Sequence, residues 1–153
     1  MPLPPPAPSA EPPDRERKRA TILLIEDHAD SAVVFERLLV RRGFGVVHAS
    51  TLKQGLECLE REGIDLLIAD LSLPDGSGLD VMAPGTGAQR LPAIALSGFG
   101  APEDERRSRE AGFALHLVKP VDFSVLHAAI QKLLSQANRE GGGPGISQAS
   151  RGV

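Results

Sequence analysis

Cysteine is almost absent. Cys58 is the only one in 153 residues, so no intramolecular disulfide can form and a cysteine-based zinc site is nearly excluded. A reducing cytoplasm is the natural setting. No apolar run approaches the roughly 20 residues of a membrane span, and the opening Met1-Pro2-Leu3-Pro4 lacks the basic and apolar regions of a signal peptide. The chain is therefore expected to be cytoplasmic, without membrane insertion. A strong charge of either sign is missing too. The net charge is −3, with no basic block beyond Arg15 to Arg19. That leaves no field to hold nucleic acid, and no direct nucleic-acid partner is expected.

What is present is unevenly placed. Pro2, Pro4, Pro5, Pro6, Pro8, Pro12 and Pro13 crowd a start with little to bury, so residues 1–18 are expected to form a disordered, proline-rich tail. Gly141-Gly142-Gly143-Pro144-Gly145 marks a second expected tail, residues 137–153. Between them lies one domain of ordinary size, residues 19–136.

Within that domain, apolar runs alternate with helical patterns. Thr21-Ile22-Leu23-Leu24-Ile25 and Ile64 to Asp70 read as strands covered on both faces, as in a parallel sheet. Gly45 to Ala49, Pro92 to Ser97 and Phe113 to Val118 read as three more. Helices are expected from Asp30 to about Gly43, after Ser50, from Pro102 to Ala111, and from a cap at Asp122. Between the third and fourth strands, Pro84-Gly85-Thr86-Gly87 leaves room for little more than a turn and a half of helix. The expected fold is a doubly wound five-stranded parallel sheet whose third helix is shortened or irregular.

The strand ends carry the chemistry. Glu26-Asp27, Asp70, Ser97 and Lys119 stand at or just beyond four carboxyl ends, the edge where open α/β sheets place ligands. Three carboxylates drawn within several ångströms repel by several kcal/mol at an effective dielectric near 20, so the cluster calls for a cation. Mg²⁺ fits, taking carboxylates, waters and phosphate oxygens. A lysine and a hydroxyl facing the same point suit a phosphoryl group, and a carboxylate can accept one as an aspartyl phosphate.

This ordered set, with Leu73-Pro74, Gly76, Gly78 and Lys119-Pro120, closely resembles the receiver domain of bacterial response regulators, across roughly 118 residues. In wording, Ala111-Gly112-Phe113 and His116 to Asp122 are most similar to receivers attached to hybrid sensor kinases. The resemblance implies a flavodoxin-like receiver fold with Asp70 as phosphoacceptor. It implies Glu26, Asp27, Asp70 and a main-chain carbonyl near Ser72 as the Mg²⁺ ligands. Ser97 would sense the phosphoryl group, Lys119 would pair with it, and the Lys119-Pro120 peptide would be cis. The donor would be a histidine kinase, or a hybrid kinase or phosphotransfer protein. Hydrolysis would be self-catalysed, without a separate substrate that would make the protein an enzyme. The signal would pass to a downstream protein through the fourth helix, fifth strand and fifth helix. His116 occupies the family's aromatic switch position, where a histidine serves as a switch or simply as a half-exposed strand residue. Two other readings remain: a pseudo-receiver that acts as a constitutive interaction module, and a haloacid-dehalogenase-type phosphohydrolase. The latter needs a second aspartate where this chain has Ser72.

Overall fold

Apolar side chains at consecutive strand positions can all be buried only if both faces of the sheet are covered. The computed structural model, which describes residues 19–61, 63–98 and 102–142, has that arrangement. Strands β1 (Thr21–Ile25), β2 (Gly45–Ala49), β3 (Leu66–Asp70), β6 (Ala93–Ser97) and β7 (Leu115–Val118) form a parallel sheet in the order β2-β1-β3-β6-β7. The short strands β4 (Ser72–Leu73) and β5 (Gly76–Ser77) make an antiparallel hairpin just beyond β3. Among the described residues, four α-helices flank the sheet: α1 (Ala29–Arg41), α2 (Leu52–Glu60), α3 (Pro102–Ala111) and α4 (Phe123–Gly142).

Strand alternation divides the core in two. Ile22, Leu24, Leu66, Ile68, Ile94 and Leu96 pack with Leu39 of α1 and Leu126, Ile130 and Leu133 of α4. Leu23, Ile25, Leu67, Ala69, Ala93 and Ala95 point the other way, onto Leu52 and Leu56 of α2, Val81, Met82 and Phe113. The three central strands are buried along nearly their whole length, whereas β2 and β7 at the sheet edges are only partly so.

The irregular crossover is as the breakers imply. Two 3₁₀ turns, Gly78–Met82 and Ala88–Arg90, replace a helix. Gly85 and Gly87 between them adopt positive φ of 91° and 92°, which glycine alone accepts freely. Thr86 Oγ1 donates to the Val81 carbonyl at 2.7 Å and accepts from the Ala88 amide at 3.1 Å, closing the turn. Val81, Met82 and Ala88 remain buried, so a face without a full helix is still covered.

Helix ends shift slightly from the sequence expectation. His28, not Asp30, takes the N-cap position of α1, in extended conformation. Thr51, not Ser50, caps α2, its hydroxyl accepting from the Gln54 amide at 3.0 Å. Gly55 within α2 has a packing reason: a Cβ there would collide with Ile25 Cδ1, so the missing side chain lets the helix close onto β1. Helix α4 continues to Gly142, past the Ala137 boundary that glycine content suggested. The two tails expected to be disordered lie, for 1–18 and 143–153, outside the described residues. Among the described residues, no helix is long and apolar enough to cross a membrane.

Candidate functional site

Parallel strands bring all their carboxyl ends to one edge, and the order β2-β1-β3 places the reversal of winding between β1 and β3. The register sets Ile25 beside Ala69, which makes Glu26 and Asp70 neighbours across that switch point. The Glu26 amide donates to the Ala49 carbonyl at 3.0 Å, and the Lys119 amide to the Ser97 carbonyl at 2.8 Å. The sheet ladder thus continues into both site residues. The Lys119-Pro120 peptide is cis.

The side chains converge. Lys119 Nζ stands 2.7 Å from Asp70 Oδ2 and 3.0 Å from Glu26 Oε1. Glu26 is fully buried and Asp70 nearly so. Burial alone would lower the Lys119 pKa, but its contacts with Asp70 and then Glu26 outweigh this and hold it above the usual lysine value. Asp70 Oδ1 accepts the Ser72 amide at 3.0 Å, which fixes the carboxylate's plane. Gly78 sits so close beneath that a Cβ would run into the Asp70 carbonyl. The glycine of this loop is therefore required by close approach.

Three carboxylates face a single ammonium, and the account does not balance. Asp27 Oδ1 is buried with no hydrogen-bond partner among the described residues, and Glu26 Oε1 has only its ionic contact with Lys119. Buried oxygens left this way are costly. Glu26, Asp27, His28 and Asp70 each offer a ligand atom, and all four atoms lie within 4.8 Å of one another. This donor set fits a divalent cation.

Ser97 is buried at the end of β6, and its hydroxyl lies 2.9 Å from His116 Nε2. A cleft of about 360 Å³ opens over the cluster, lined among others by Asp70, Ser72, Ser97 and Lys119. All the strand-end residues singled out in the sequence therefore meet at one edge, and His116 touches the group through Ser97. Two residues escaped that reading. His28 places Nδ1 3.1 Å from Glu26 Oε2 and 3.5 Å from Asp27 Oδ1; its only sequence signal is adjacency to the acidic pair. Arg107 lines the cleft from α3, and within a helix so rich in charge nothing in the sequence distinguishes it.

A family model described as the response regulator receiver domain matches residues 22–131. The chain is 32% identical over 121 residues to the transcriptional regulatory protein GlrR of Escherichia coli (strain K12), a match covering 78% of this chain and 27% of that protein. It thus spans about a quarter of that curated relative. Among solved structures, it is similar to a CheY-like response regulator receiver domain protein from Methanospirillum hungatei JF-1. There the TM-score is 0.75 at 25% identity, over 80% of this chain and 99% of that one. It is also similar to the signal receiver domain of a signal transduction histidine kinase from Syntrophus aciditrophicus, with a TM-score of 0.70 at 26% identity, over 78% and 93% of the two chains.

Proposed function

The chain belongs to the response regulator receiver domain family of two-component systems, and from that premise we propose that it takes a phosphoryl group onto Asp70 from a histidine kinase. The observation that carries this is the Lys119 ammonium held 2.7 Å from Asp70 amid unbalanced buried carboxylate oxygens. An Asp70 oxygen attacks phosphorus, the P–O bond forms as the P–N bond of a phosphohistidine breaks, and the imidazole nitrogen leaves with the electron pair. Lys119 then pairs with a phosphoryl oxygen. The Ser72 amide keeps the carboxylate aimed. Glu26, Asp27, Asp70 and a main-chain carbonyl near Ser72 would hold a Mg²⁺ ion, which would supply charge neutralisation to the phosphoryl oxygens. Return to the free aspartate is self-catalysed hydrolysis.

In this reading, Ser97 gives up His116 to bind the new oxygens. Its movement biases the surface of α3, β7 and α4, the counterpart here of the fourth helix, fifth strand and fifth helix, since the crossover replaces one helix. Exposed Leu115, Val118 and Val125 support that surface as the one a downstream protein reads. An apolar groove of about 580 Å³ beside Lys119, lined by Val34, Phe35, Leu38, Pro120, Val121 and Phe123, supports docking of the phosphodonor. The receiver unit is residues 19–136, with the last turns of α4 running on to Gly142, and it works in the cytoplasm.

Beryllofluoride titration in the presence of Mg²⁺ tests the assignment. A saturable rise in melting temperature, lost in Asp70→Asn, is expected. An undiminished response in Asp70→Asn removes Asp70 from its role, and no response in the wild type favours a constitutive interaction module.

A further inference from the structure

We propose that the outer face of α1 is a pairing surface for a second copy of this chain, the two helices lying parallel about a two-fold axis. Six large apolar side chains stand exposed among the described residues, and the three that lie outside β7 and α4 all belong to α1: Val33 (46% exposed), Val34 (54%) and Val40 (51%). At about 100° per residue, Val33 and Val40 fall within about 20° of each other around the helix, away from the core-facing Phe35 and Leu39. A groove of about 470 Å³ follows this line, bounded by Val33, Glu36, Arg37, Val40 and Arg41.

The charges beside the line find no partner in their own chain. Neither Glu36 nor Arg37 makes an ion pair among the described residues. Helical partners stand three or four residues away. For Glu36 those positions hold Ala32, Val33, Leu39 and Val40, and for Arg37 they hold Val33, Val34, Val40 and the like-charged Arg41. Consecutive residues lie about 100° apart, so Glu36 and Arg37 flank the Val33–Val40 line on opposite sides at nearly one level. A two-fold axis parallel to the helices sets each side of the line against the other side of its copy. Val33 then meets Val33 of the second copy, Val40 meets Val40, and each Glu36 faces the other copy's Arg37. Antiparallel pairing would instead bring Glu36 onto Glu36 and Arg37 onto Arg37. The flanking charges therefore select the parallel arrangement. Since the N-cap of α1, His28, stands in the acidic cluster, parallel pairing places both Asp70 clefts at the same end. Two faces of this length bury well under the roughly 1,200 Å² of a stable interface, so the pair is transient, with a dissociation constant on the order of 1 mM. It counts where two copies are otherwise tethered, because short tethers supply millimolar effective concentrations.

Sedimentation equilibrium of the full chain, with amide spectra over the same range of about 0.05 to 2 mM, tests the proposal in metal-free buffer without phosphodonor. The wild type is expected to pass reversibly from monomer to dimer, with the concentration-dependent amide shifts centred on Val33, Arg37 and Val40. Glu36→Arg and Arg37→Glu, each alone, are expected to weaken association at least about tenfold, because each turns ion pairs across the two-fold into like-charge contacts. Mixed in equal amounts, the two variants are expected to recover most of that association, since every contact between positions 36 and 37 is then again between opposite charges. A wild type that stays monomeric throughout overturns the proposal. A dimer whose shifts fall on β7 and α4, one that the charge reversals leave unchanged, or variants that do not recover on mixing overturn it as well.

Discussion

At the scale of single residues, the site is an arrangement in which stability is given up for a charge that arrives from outside. Asp27 contributes a carboxylate near Glu26 and Asp70, and its buried Oδ1 makes no hydrogen bond among the described residues, with only His28 Nδ1 nearby at 3.5 Å. Asp27→Asn should raise stability by about 1 kcal/mol in metal-free buffer, because it relieves like-charge repulsion. The same change should abolish the melting-temperature increment that Mg²⁺ produces in the wild type. Thermal unfolding with and without Mg²⁺ checks both; a destabilised Asp27→Asn would contradict the account. Ser97 is restrained differently, by the 2.9 Å contact with His116. His116→Phe keeps a ring but removes that bond, worth about 1 kcal/mol. Ser97 then reaches the phosphoryl position more readily, and beryllofluoride affinity should rise roughly fivefold. An unchanged affinity would mean that the bond does not hold Ser97 back.

Elements hold those residues in place, and two show how unevenly. The β4–β5 hairpin that follows Asp70 is tied to the start of α2 by Asp75, whose two oxygens accept the Leu52 and Lys53 amides at 2.7 and 3.0 Å. A carboxylate at a helix N-terminus meets free donors and the positive end of the dipole. The Lys53 bond first, then the Leu52 bond, holds the Asp75 pKa below its usual 3.8. A depressed carboxylate stabilises the fold above its unfolded pKa, and that contribution is lost as pH falls through the lower folded value. Asp75→Ala should therefore melt earlier than the wild type at pH 7, and the gap should close as the pH drops below 3.8. Melting curves from about pH 2.5 to about pH 7, which bracket that titration, check it. Helix α3 lies at the other extreme. Only Ser108 is buried along it, and its exposed ion pairs, Glu105–Arg109 at 2.8 Å and Arg106–Glu110 at 3.3 Å, contribute only a few tenths of a kcal/mol each. Amide exchange in α3 should be at least about tenfold faster than in the α4 segment around Leu126 and Ile130; equal protection would deny α3 a role as a movable element.

Over the whole molecule, the sequence and the tertiary structure divided the work along physical lines. Strand runs such as Ile22 to Ile25 and Leu66 to Ala69 are apolar at every position because both faces are buried, so composition alone announced a parallel sheet. Parallel strands align their carboxyl ends, so Glu26, Asp27, Asp70, Ser97 and Lys119 are legible as one group in the sequence. The broken crossover was legible too, since Pro84, Gly85 and Gly87 forbid a regular helix by local stereochemistry. Distance and orientation were not legible. The 2.7 Å seat of Lys119 on Asp70, the bond between Ser97 and His116, the collision that keeps Gly55 small and the turn of His28 Nδ1 toward the acidic pair all join residues on different elements or depend on a cap geometry. Local pattern determines which elements form and which ends meet, because periodicity and backbone sterics act over a few residues. Which atoms touch was decided only when the sheet closed and packed, because that depends on register, helix placement and rotamers that no single segment specifies.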